Sequence, residues 1–564
     1  PIINLYMEGQ LQQALSESTQ MLERFPNSFV LYNIAGASNA GLMQFDTAID
    51  SYKQALKIRP DFAEAYNNMG NALKDKGDLE AAIDSYKQAL KIKPDYAEAY
   101  INMGNALKDK GDLEAAIDSY KQALKIRPDF AEAYNNMGNA LKDKGDLEAA
   151  IDSYKQALKI KPDYAEAYIN MGNALKDKGD LEAAIDSYKQ ALKIKPDYAV
   201  VYNNMGSALN DKGDLEAAID SYKQALKINP DYAEAYNNMG AALYDKGDPE
   251  AAIDSYKQAL KIKPDFAEAY NNMGTALYDK GDPEAAIDSY KQALKIKPDY
   301  AEAYYNMGIA MKGKGDLEAA IDSYKQALKI KPDFAEAYNN MSAALQGTGF
   351  NKPNSGLMEI MVSLLDQKTS CRPNEMAQAA ISLLKLEPAL KEHLEKYSIG
   401  SLRQSLQETI LTLAELPLLL KLMSVCPIAD LELESILVDI RLALLSSIDE
   451  TSISPTILHF QSALALQCFT NEYTYTQTDK ETELLDMLKN AAEKTLSTGQ
   501  QPSPQSILCL ASYKALHEYE WCELLTVNTD IEEVFIRQIL EPKEEIRLKA
   551  NIPILQEITD KVSS

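Results

Sequence analysis

A repeat of 34 residues constrains the fold of this chain more than any other feature of its sequence. Full copies begin at Phe29, Ala63, Ala97, Ala131, Ala165, Ala199, Ala233, Ala267 and Ala301. The copies are nearly identical, since residues 63–130 and 131–198 differ at only two positions. A fixed period of this length predicts an array of stacked units in which each unit contacts its neighbours.

The copy at residues 63–96 indicates that each unit is a pair of helices. Apolar or small residues at helical spacing mark the first helix, at Ala63, Tyr66, Met69, Gly70 and Leu73. A similar stripe marks the second helix, at Leu79, Ala82, Ile83, Tyr86, Ala89 and Leu90. Gly77 is expected to end the first helix and Asp78 to cap the second, which Pro94 ends.

Two further signals predict where helices begin. Asp95 and Glu98 have the spacing of a capping box, which is expected to start the next first helix. Pro249 and Pro283 follow caps directly, at the first helical position, where proline is tolerated. Gly70 has no side chain, which should let the paired helices approach closely.

The same copy matches the pattern of a known family at Tyr66, Gly70, Leu73, Ala82, Tyr86, Ala89 and Pro94. Over about 350 residues the chain resembles the tetratricopeptide-repeat family. The resemblance implies an all-α fold, a right-handed superhelical solenoid whose first helices line a concave groove. It also implies a groove that binds a peptide or a protein. One helical pair cannot bury its own apolar face, so neighbouring units must stack.

The period is lost near Gly347, where a turn-rich segment follows. We predict four parts: a partial repeat at 1–28, nine full repeats at 29–334, a half repeat with a turn-rich boundary at 335–356, and an irregular all-helical accessory domain at 357–564. Leucine-rich patterns in the last part predict helices at 374–386, 401–424, 430–447, 456–470, 480–496, 504–518 and 530–550. Tyr473–Thr478 carries a weak strand signal.

Numbered from the first residue of each copy, position 6 is asparagine in every copy from Ala63 onward: Asn68, Asn102, Asn136, Asn170, Asn204, Asn238, Asn272, Asn306 and Asn340. Helix propensity does not explain this choice, because asparagine is a mediocre helix former. A side-chain amide offers two donors and an acceptor, so it can pair with a backbone peptide unit of any sequence. We therefore expect a ladder of amides that binds an extended chain. The alternative is duplication without selection, with the amides merely solvated. Position 6 resembles the peptide-facing position in the repeats of O-linked N-acetylglucosamine transferases.

Two other positions of the candidate groove change along the array. Position 9 is Asn71, Asn105, Asn139 and Asn173, then Ser207, Ala241, Thr275 and Ile309. Position 12 is Lys74, Lys108, Lys142 and Lys176, then Asn210, Tyr244, Tyr278 and Lys312. We expect the first half to bind backbone or acidic segments and the tyrosines of the second half to hold side-chain anchors. The glutamates at position 2, such as Glu64 and Glu98, are interpreted as helix caps, and the carboxylate clamp of some related domains looks absent.

Charge and composition argue against several classes of partner. The chain has 58 basic and 84 acidic residues, a net charge of −26. No basic stripe stands out, so neither nucleic acid nor an anionic membrane is expected as a partner. No apolar run approaches the length of a membrane span. Five widely spaced cysteines suggest buried free thiols in a reducing cytoplasm: Cys371, Cys426, Cys468, Cys509 and Cys522.

The sequence of the last part carries no recognisable catalytic motif. After Gly356 the glycines are Gly400 and Gly499, and neither lies in a phosphate-binding turn. The histidines are isolated, and His459 is interpreted as a packed core residue. We therefore expect no catalytic residue, no cofactor and no metal.

The last part does resemble a second family. One motif runs Gln467-Cys468-Phe469-Thr470-Asn471-Glu472-Tyr473, followed by Leu516-His517, and another comprises Arg537-Gln538, Glu541-Pro542, Glu544-Glu545, Arg547, Ile552-Pro553, Leu555, Asp560 and Val562-Ser563. Together they resemble the helical segment that precedes the catalytic domain in bacterial tetratricopeptide-containing S-adenosylmethionine methyltransferases. The resemblance implies that the chain, which starts at Pro1 without a methionine, is the non-catalytic front end of such an enzyme. Asn471-Glu472 is interpreted as a cap or docking element for the catalytic domain.

The sequence as a whole favours an interaction module that recruits a protein or an extended peptide. The substrate-selecting arm of a methyltransferase is compatible with that function. A self-assembling scaffold and the arm of a protein glycosyltransferase are the alternatives, and the oligomeric state stays open.

Overall fold

The computed structural model describes residues 2–346, 348–366, 373–398, 406–448 and 454–544. Within these ranges all regular secondary structure is helical, which confirms the predicted all-α fold. The chain divides into two compact units, Pro1–Ala276 and Leu277–Ser564.

The first unit is a succession of helices that pack in pairs. Its helices are Ile2–Met7, Leu11–Arg24, Phe29–Gly41, Phe45–Ile58, Ala63–Lys76, Leu79–Ile92, Ala97–Asp109, Leu113–Ile126, Ala131–Asp143, Leu147–Ile160, Ala165–Lys178, Leu181–Ile194, Ala199–Asp211, Leu215–Ile228, Ala233–Asp245 and Pro249–Ile262. Helix Ala267–Asp279 crosses the division between the units.

The second unit continues the pairs and then becomes irregular. The paired part contains Pro283–Ile296, Ala301–Lys314, Leu317–Ile330 and Ala335–Leu345. The irregular part contains Ser355–Asp366, Pro373–Leu384, Pro388–Ser398, Leu406–Ala414, Pro417–Val425, Leu431–Ser446, Pro455–Thr470, Asp479–Ser497, Pro504–Ala511 and Glu532–Phe535. Short 3₁₀ turns at Leu516–Glu518 and Cys522–Leu524 and a π turn at Ile536–Leu540 complete it.

Most of the predicted helix ends are confirmed. Gly77 ends its helix in the left-handed region, at φ 94°, where glycine carries no steric penalty. The carboxylate of Asp78 accepts a hydrogen bond from the Ala81 N–H at 3.2 Å, so it caps the second helix. Pro249 and Pro283 lie at the first position of their helices.

The predicted capping box of Asp95 and Glu98 is wrong. Tyr96 is the residue at the N-cap, and no side chain bonds to the helix end there. Glu98 is therefore only two residues into the helix, one short of the position that a capping box needs. Its carboxylate binds the Arg127 guanidinium at 2.7 Å instead.

A tyrosine ring packed on bare glycine backbone holds each pair of helices together. Tyr120 of the second helix is fully buried, and its ring lies over Gly104 of the first. A Cβ atom on Gly104 would lie 2.6 Å from a ring carbon of Tyr120, closer than carbon atoms approach. The same contact recurs at Gly70, Gly138, Gly172, Gly206 and Gly240. Glycine at this position is therefore a packing requirement, as its small size predicts.

Gly206→Ala should loosen one repeat of the first unit. The added Cβ would lie 2.7 Å from Cε1 of Tyr222. Overpacking of this kind costs about 1–3 kcal/mol, and the better helix propensity of alanine offsets at most about 1 kcal/mol of it. Hydrogen exchange in helix Ala199–Asp211, whose sequence occurs once in the chain, should become faster. In a Tyr222→Leu background the same substitution should have little effect, and an equal loss in both backgrounds would contradict the packing argument.

Three predictions for the irregular part are wrong. The helix predicted at 504–518 ends at Ala511 and is followed by turns. The helix predicted at 401–424 is two helices in the described part, because Pro417 cannot continue the first and instead begins the second. The stretch Tyr473–Thr478 forms no strand, and Glu472 and Tyr473 have positive φ angles of 50° and 54°. The predicted helices at 430–447 and 456–470 are confirmed within one residue at each end.

The cysteines of the described residues are buried free thiols, as predicted: Cys426, Cys468, Cys509 and Cys522. Burial raises the pKa of the Cys468 and Cys509 thiols to about 12, so both are neutral and unreactive near pH 7. Cys371 lies outside the described residues. No helix in the described ranges is long and apolar enough to cross a membrane.

Candidate functional site

The asparagines at position 6 connect neighbouring repeats. Asn102 donates through Nδ2 to Oδ1 of Asn67, one repeat earlier, at 3.0 Å. Equivalent bonds of 3.0–3.2 Å link Asn68 to Asn33, Asn136 to Asn105, Asn170 to Asn135, Asn204 to Asn173, Asn238 to Asn203 and Asn272 to Asn237. All of these position-6 side chains are half-buried. They therefore form a ladder in which each amide is held by the repeat before it.

In the second unit a position-6 asparagine donates to a tyrosine hydroxyl instead of to an asparagine. Asn340 donates to the hydroxyl of Tyr305 at 2.8 Å, since position 5 is tyrosine in that repeat. Asn306 is half-buried like its counterparts.

The asparagines at position 9 satisfy buried tyrosine hydroxyls. The hydroxyls of Tyr86, Tyr120, Tyr154 and Tyr188 donate at 2.7–2.8 Å to Oδ1 of Asn71, Asn105, Asn139 and Asn173. Burial raises the pKa of each of these tyrosines well above its usual value, so the hydroxyl stays a neutral donor. Where position 9 is Ile309, the buried hydroxyl of Tyr324 has no hydrogen-bond partner among the described residues. Position 9 is thus part of the packing as well as of the candidate groove.

The lysines at position 12 lie beside aspartates at position 13. Lys108 and Lys142 both lie within 4.0 Å of Asp143, and Lys176 lies 3.4 Å from Asp211 and donates to Ser207 at 2.8 Å. Lys74 lies 3.7 Å from Asp75. The first half of the array therefore presents a charge-balanced row, which weakens the expectation that it selects acidic segments.

The tyrosines at position 12 differ in their surroundings. Tyr278 is half-buried and packs towards the next first helix, since a Cβ on Gly313 would lie 2.7 Å from its hydroxyl oxygen. Tyr244 is half-buried in the first unit. Of the two, Tyr278 has a clear packing role within the second unit.

The glutamates at position 2 lie in the first turn of their helices, and several pair with a base at the end of the same repeat. Glu234 binds Lys263 at 3.1 Å, and Glu64 lies 3.8 Å from Lys93. The pKa of Glu234 is lowered chiefly by a hydrogen bond from its own backbone N–H. A first-turn capping role is therefore supported for Glu234.

Comparison with known proteins identifies the repeats. The profile of the TPR repeat family matches residues 44–77, 70–110, 104–145, 138–179, 172–210, 206–247, 242–281, 274–315 and 312–349. Together these matches span more than half of the chain. The chain belongs to the tetratricopeptide-repeat family.

Many solved structures are similar over part of the chain. MamA is 31% identical, with a TM-score of 0.28, and the match covers 29% of this chain and 97% of that one. YrrB, described as a TPR protein with an unusual peptide-binding site, is 24% identical over 33% of this chain and 96% of its own, with a TM-score of 0.28. A tetratricopeptide-repeat protein from Parabacteroides merdae is 18% identical over 44% and 98%, with a TM-score of 0.38. No curated protein matches the chain.

A buried charged cluster in the second unit is the other candidate for a site. Arg441 is 2% exposed, and its Nη2 donates to the Thr476 carbonyl at 3.3 Å and lies 3.4 Å from Oε1 of Glu481. The same Oε1 accepts from the Tyr513 hydroxyl at 2.8 Å, while Oε2 accepts from the Thr478 N–H at 2.8 Å. The adjoining cavity measures about 10 Å³, room for no more than one water. A substrate cannot enter, so the cluster is structural.

Glu481 of this cluster also caps the start of helix Asp479–Ser497, because it accepts from the Thr478 N–H. Burial raises the pKa of Glu481, but hydrogen bonds from Thr478 and Tyr513 and the charge of Arg441 outweigh it and lower the pKa below the usual value. Glu481 is therefore charged near pH 7. Its stabilising contribution is present above the usual glutamate pKa and is lost as the pH falls through the lowered value.

Two histidines of the second unit have different surroundings. His459 is exposed, so the prediction that it packs in the core is wrong: Ile457, Leu458 and Phe460 occupy the buried face of its helix. It borders an open cleft of about 470 Å³ together with acidic residues. His393 is buried between the hydroxyls of Thr409 and Thr412. No group of three or more possible ligands is arranged to hold a metal ion in the described part.

Asn173→Ala should destabilise the array more than Asn139→Ala. Asn139 accepts one hydrogen bond, from Tyr154, whereas Asn173 accepts two, from Tyr188 and Asn204. The difference should be roughly 0.5–1.5 kcal/mol, the usual net value of one hydrogen bond. The midpoint of urea unfolding, followed by circular dichroism, measures it. Equal midpoints would mean that the bond from Asn204 contributes nothing.

Arg441→Leu should destabilise the second unit by about 3–5 kcal/mol, because it leaves Glu481 buried without a charge partner. Hydrogen exchange in helix Asp479–Ser497 should accelerate. Adding Glu481→Gln should recover part of the loss, since it removes the uncompensated charge. If the double variant is no more stable than Arg441→Leu, the ion pair is not what stabilises this helix.

Proposed function

We propose that the first helices of the repeats bind an extended polypeptide through the ladder of amides at position 6. The observation that supports this most is the row of half-buried amides, one in each repeat, fixed by bonds to the preceding repeat. A side-chain amide has two N–H donors and two acceptor lone pairs. The inter-repeat bond uses one donor, so the second donor and acceptor capacity can serve a ligand.

The fixed position of each amide favours binding. A side chain that is already held in one orientation loses little conformational freedom when a ligand arrives. In the first unit the candidate groove comprises the position-6 amides with the neighbouring position-9 asparagines, the position-12 lysines and Tyr244. In the second unit Tyr278 occupies the position that corresponds to Tyr244. Because the lysines lie beside aspartates, we expect the four repeats at residues 63–198 to recognise backbone rather than acidic side chains.

The amide ladder is tested by replacing Asn102, Asn136 and Asn170 with alanine in the full chain. A phage-displayed library of random 16-residue peptides, selected against the unaltered protein, supplies the probe. A selected peptide should bind the triple variant at least roughly tenfold more weakly, since several hydrogen bonds are lost.

The matched control replaces Lys121, Lys155 and Lys189, exposed lysines of the second helices, and should leave binding unchanged. Circular dichroism verifies that both triple variants are folded. If no peptide is enriched, or if a folded ladder variant binds as well as the unaltered protein, the proposed function is wrong.

We also propose that the array is the substrate-selecting arm of an S-adenosylmethionine-dependent methyltransferase. The support is the sequence resemblance of the second unit. Two of its motif residues, Arg537 and Gln538, form hydrogen bonds to other segments of that unit. Gln538 donates to the carbonyls of Ala465 and Ala511 at 3.2 Å and accepts from the Leu516 N–H at 3.1 Å. Arg537 donates to the Ser424 carbonyl at 2.9 Å. The motif residues from Glu545 to Ser563 lie outside the described residues.

The test of this second proposal is transfer of a labelled methyl group from S-adenosylmethionine to the selected peptide by the full-length protein from its natural source. Absence of transfer would leave a peptide-binding adaptor or a self-assembling scaffold, which sedimentation across concentrations distinguishes. A glycosyltransferase arm has no support beyond position 6. The buried free thiols support a cytoplasmic location.

A further inference from the structure

The residue at position 5 alternates between asparagine and isoleucine in the four repeats at residues 63–198, whereas position 6 is asparagine in all four. It is Asn67, then Ile101, then Asn135, then Ile169. All four side chains are buried, at no more than 9% exposure. The alternation therefore lies directly beneath the half-buried amide ladder.

The alternation changes where the amide of the next repeat donates. After asparagine at position 5, Asn102 and Asn170 donate to that residue, at 3.0 Å. Isoleucine has no acceptor, so Asn136 and Asn204 donate instead to the position-9 residues Asn105 and Asn173, at 3.2 Å. Two orientations of the ladder amide therefore alternate from repeat to repeat.

The alternation also changes what each ladder carbonyl accepts. In the asparagine repeats, Nδ2 of Asn67 lies 3.5 Å from Oδ1 of Asn68, and Nδ2 of Asn135 lies 3.4 Å from Oδ1 of Asn136. In the isoleucine repeats position 5 has no donor to give to Asn102 or Asn170. The side-chain carbonyls of Asn102 and Asn170 therefore receive no hydrogen bond from position 5, whereas those of Asn68 and Asn136 do.

A backbone peptide unit presents one N–H donor and one C=O acceptor. An amide whose carbonyl keeps both lone pairs and which has a second N–H can satisfy both, whereas an amide whose carbonyl already has a protein donor keeps one lone pair for a ligand. We infer that Asn102 and Asn170 form two-point sites for backbone peptide units, two repeats apart, and that Ile101 and Ile169 determine this spacing. The inference rests on the proposed peptide-binding function.

The later repeats of the first unit show that the pattern is local. Asn203 and Asn237 both occupy position 5, and both accept from the next amide, Asn238 at 3.1 Å and Asn272 at 3.2 Å. Successive ladder amides there have the same orientation. A ligand should therefore be held with a spacing of two repeats only within residues 63–198.

The double variant Ile101→Asn, Ile169→Asn removes the alternation. Each new asparagine would donate to the carbonyl beneath the proposed site, as Asn67 and Asn135 do. Binding of a peptide selected from the random 16-residue library should weaken roughly tenfold, the effect of losing about one hydrogen bond at each site. The matched control, Ile101→Val with Ile169→Val, keeps position 5 apolar and should bind like the unaltered protein.

A scan of the selected peptide by N-methylation locates the bonds. The unaltered protein should be sensitive at the one or two backbone N–H groups that meet Asn102 and Asn170. Single variants Ile101→Asn and Ile169→Asn should remove the sensitivity at one such position each.

The outcomes separate this inference from the proposed function. If the peptide binds, is weakened by alanine at position 6, and is unaffected by both isoleucine-to-asparagine substitutions, the two-repeat spacing is overturned while the ladder stands. If alanine at position 6 has no effect, the proposed function itself fails. If Ile101→Val with Ile169→Val weakens binding as much as the asparagine variant, packing rather than hydrogen bonding is responsible, and the inference is wrong.

Discussion

The contact between a tyrosine ring and the bare backbone of a glycine underlies the rest of the repeat structure. It sets the distance between the two helices of a pair, because nothing larger than hydrogen fits between them. It also positions the tyrosine hydroxyl, which donates a hydrogen bond to an asparagine at position 9 of the first helix. In alternate repeats that same oxygen accepts from the ladder amide of the next repeat. Core packing and the candidate groove are thus joined by two hydrogen bonds.

The irregular part of the second unit is stabilised differently. Its described residues show no contact repeated at a fixed period. Its helices share a hydrophobic core, and single buried polar groups such as Arg441, Glu481 and Gln538 also join them. Burying such groups costs free energy unless every donor and acceptor is satisfied. A packing mode that is repeated can lose one copy and keep the others, whereas each of these polar bonds occurs once.

The sequence predicted what depends on local chemistry. Period, helix pairs, the Gly77 stop, the Asp78 cap and the prolines at helix starts follow from residues a few positions apart, and the structure confirms them. Two predictions were wrong by one residue. The capping box is absent because Tyr96, not Asp95, is the N-cap residue. His459 is exposed because its neighbours Leu458 and Phe460 are the buried residues of that helix. The bonds from Asn136 to Asn105 and from Asn102 to Asn67 join residues 31 and 35 positions apart. Only the stacking of repeats brings them together, so a reading of one repeat could not find them.

The alternation at position 5 gives residues 63–198 a period of two repeats, whereas their helices have a period of one repeat. Each repeat contacts its neighbours through nearly identical surfaces, so loss or gain of one copy leaves the stacking intact. A change of 34 residues would nevertheless place two repeats of the same kind side by side and break the order of amide orientations. A change of 68 residues would preserve it. Unequal recombination within the gene therefore alters length alone when it moves two copies, and also alters the order of amide orientations when it moves one.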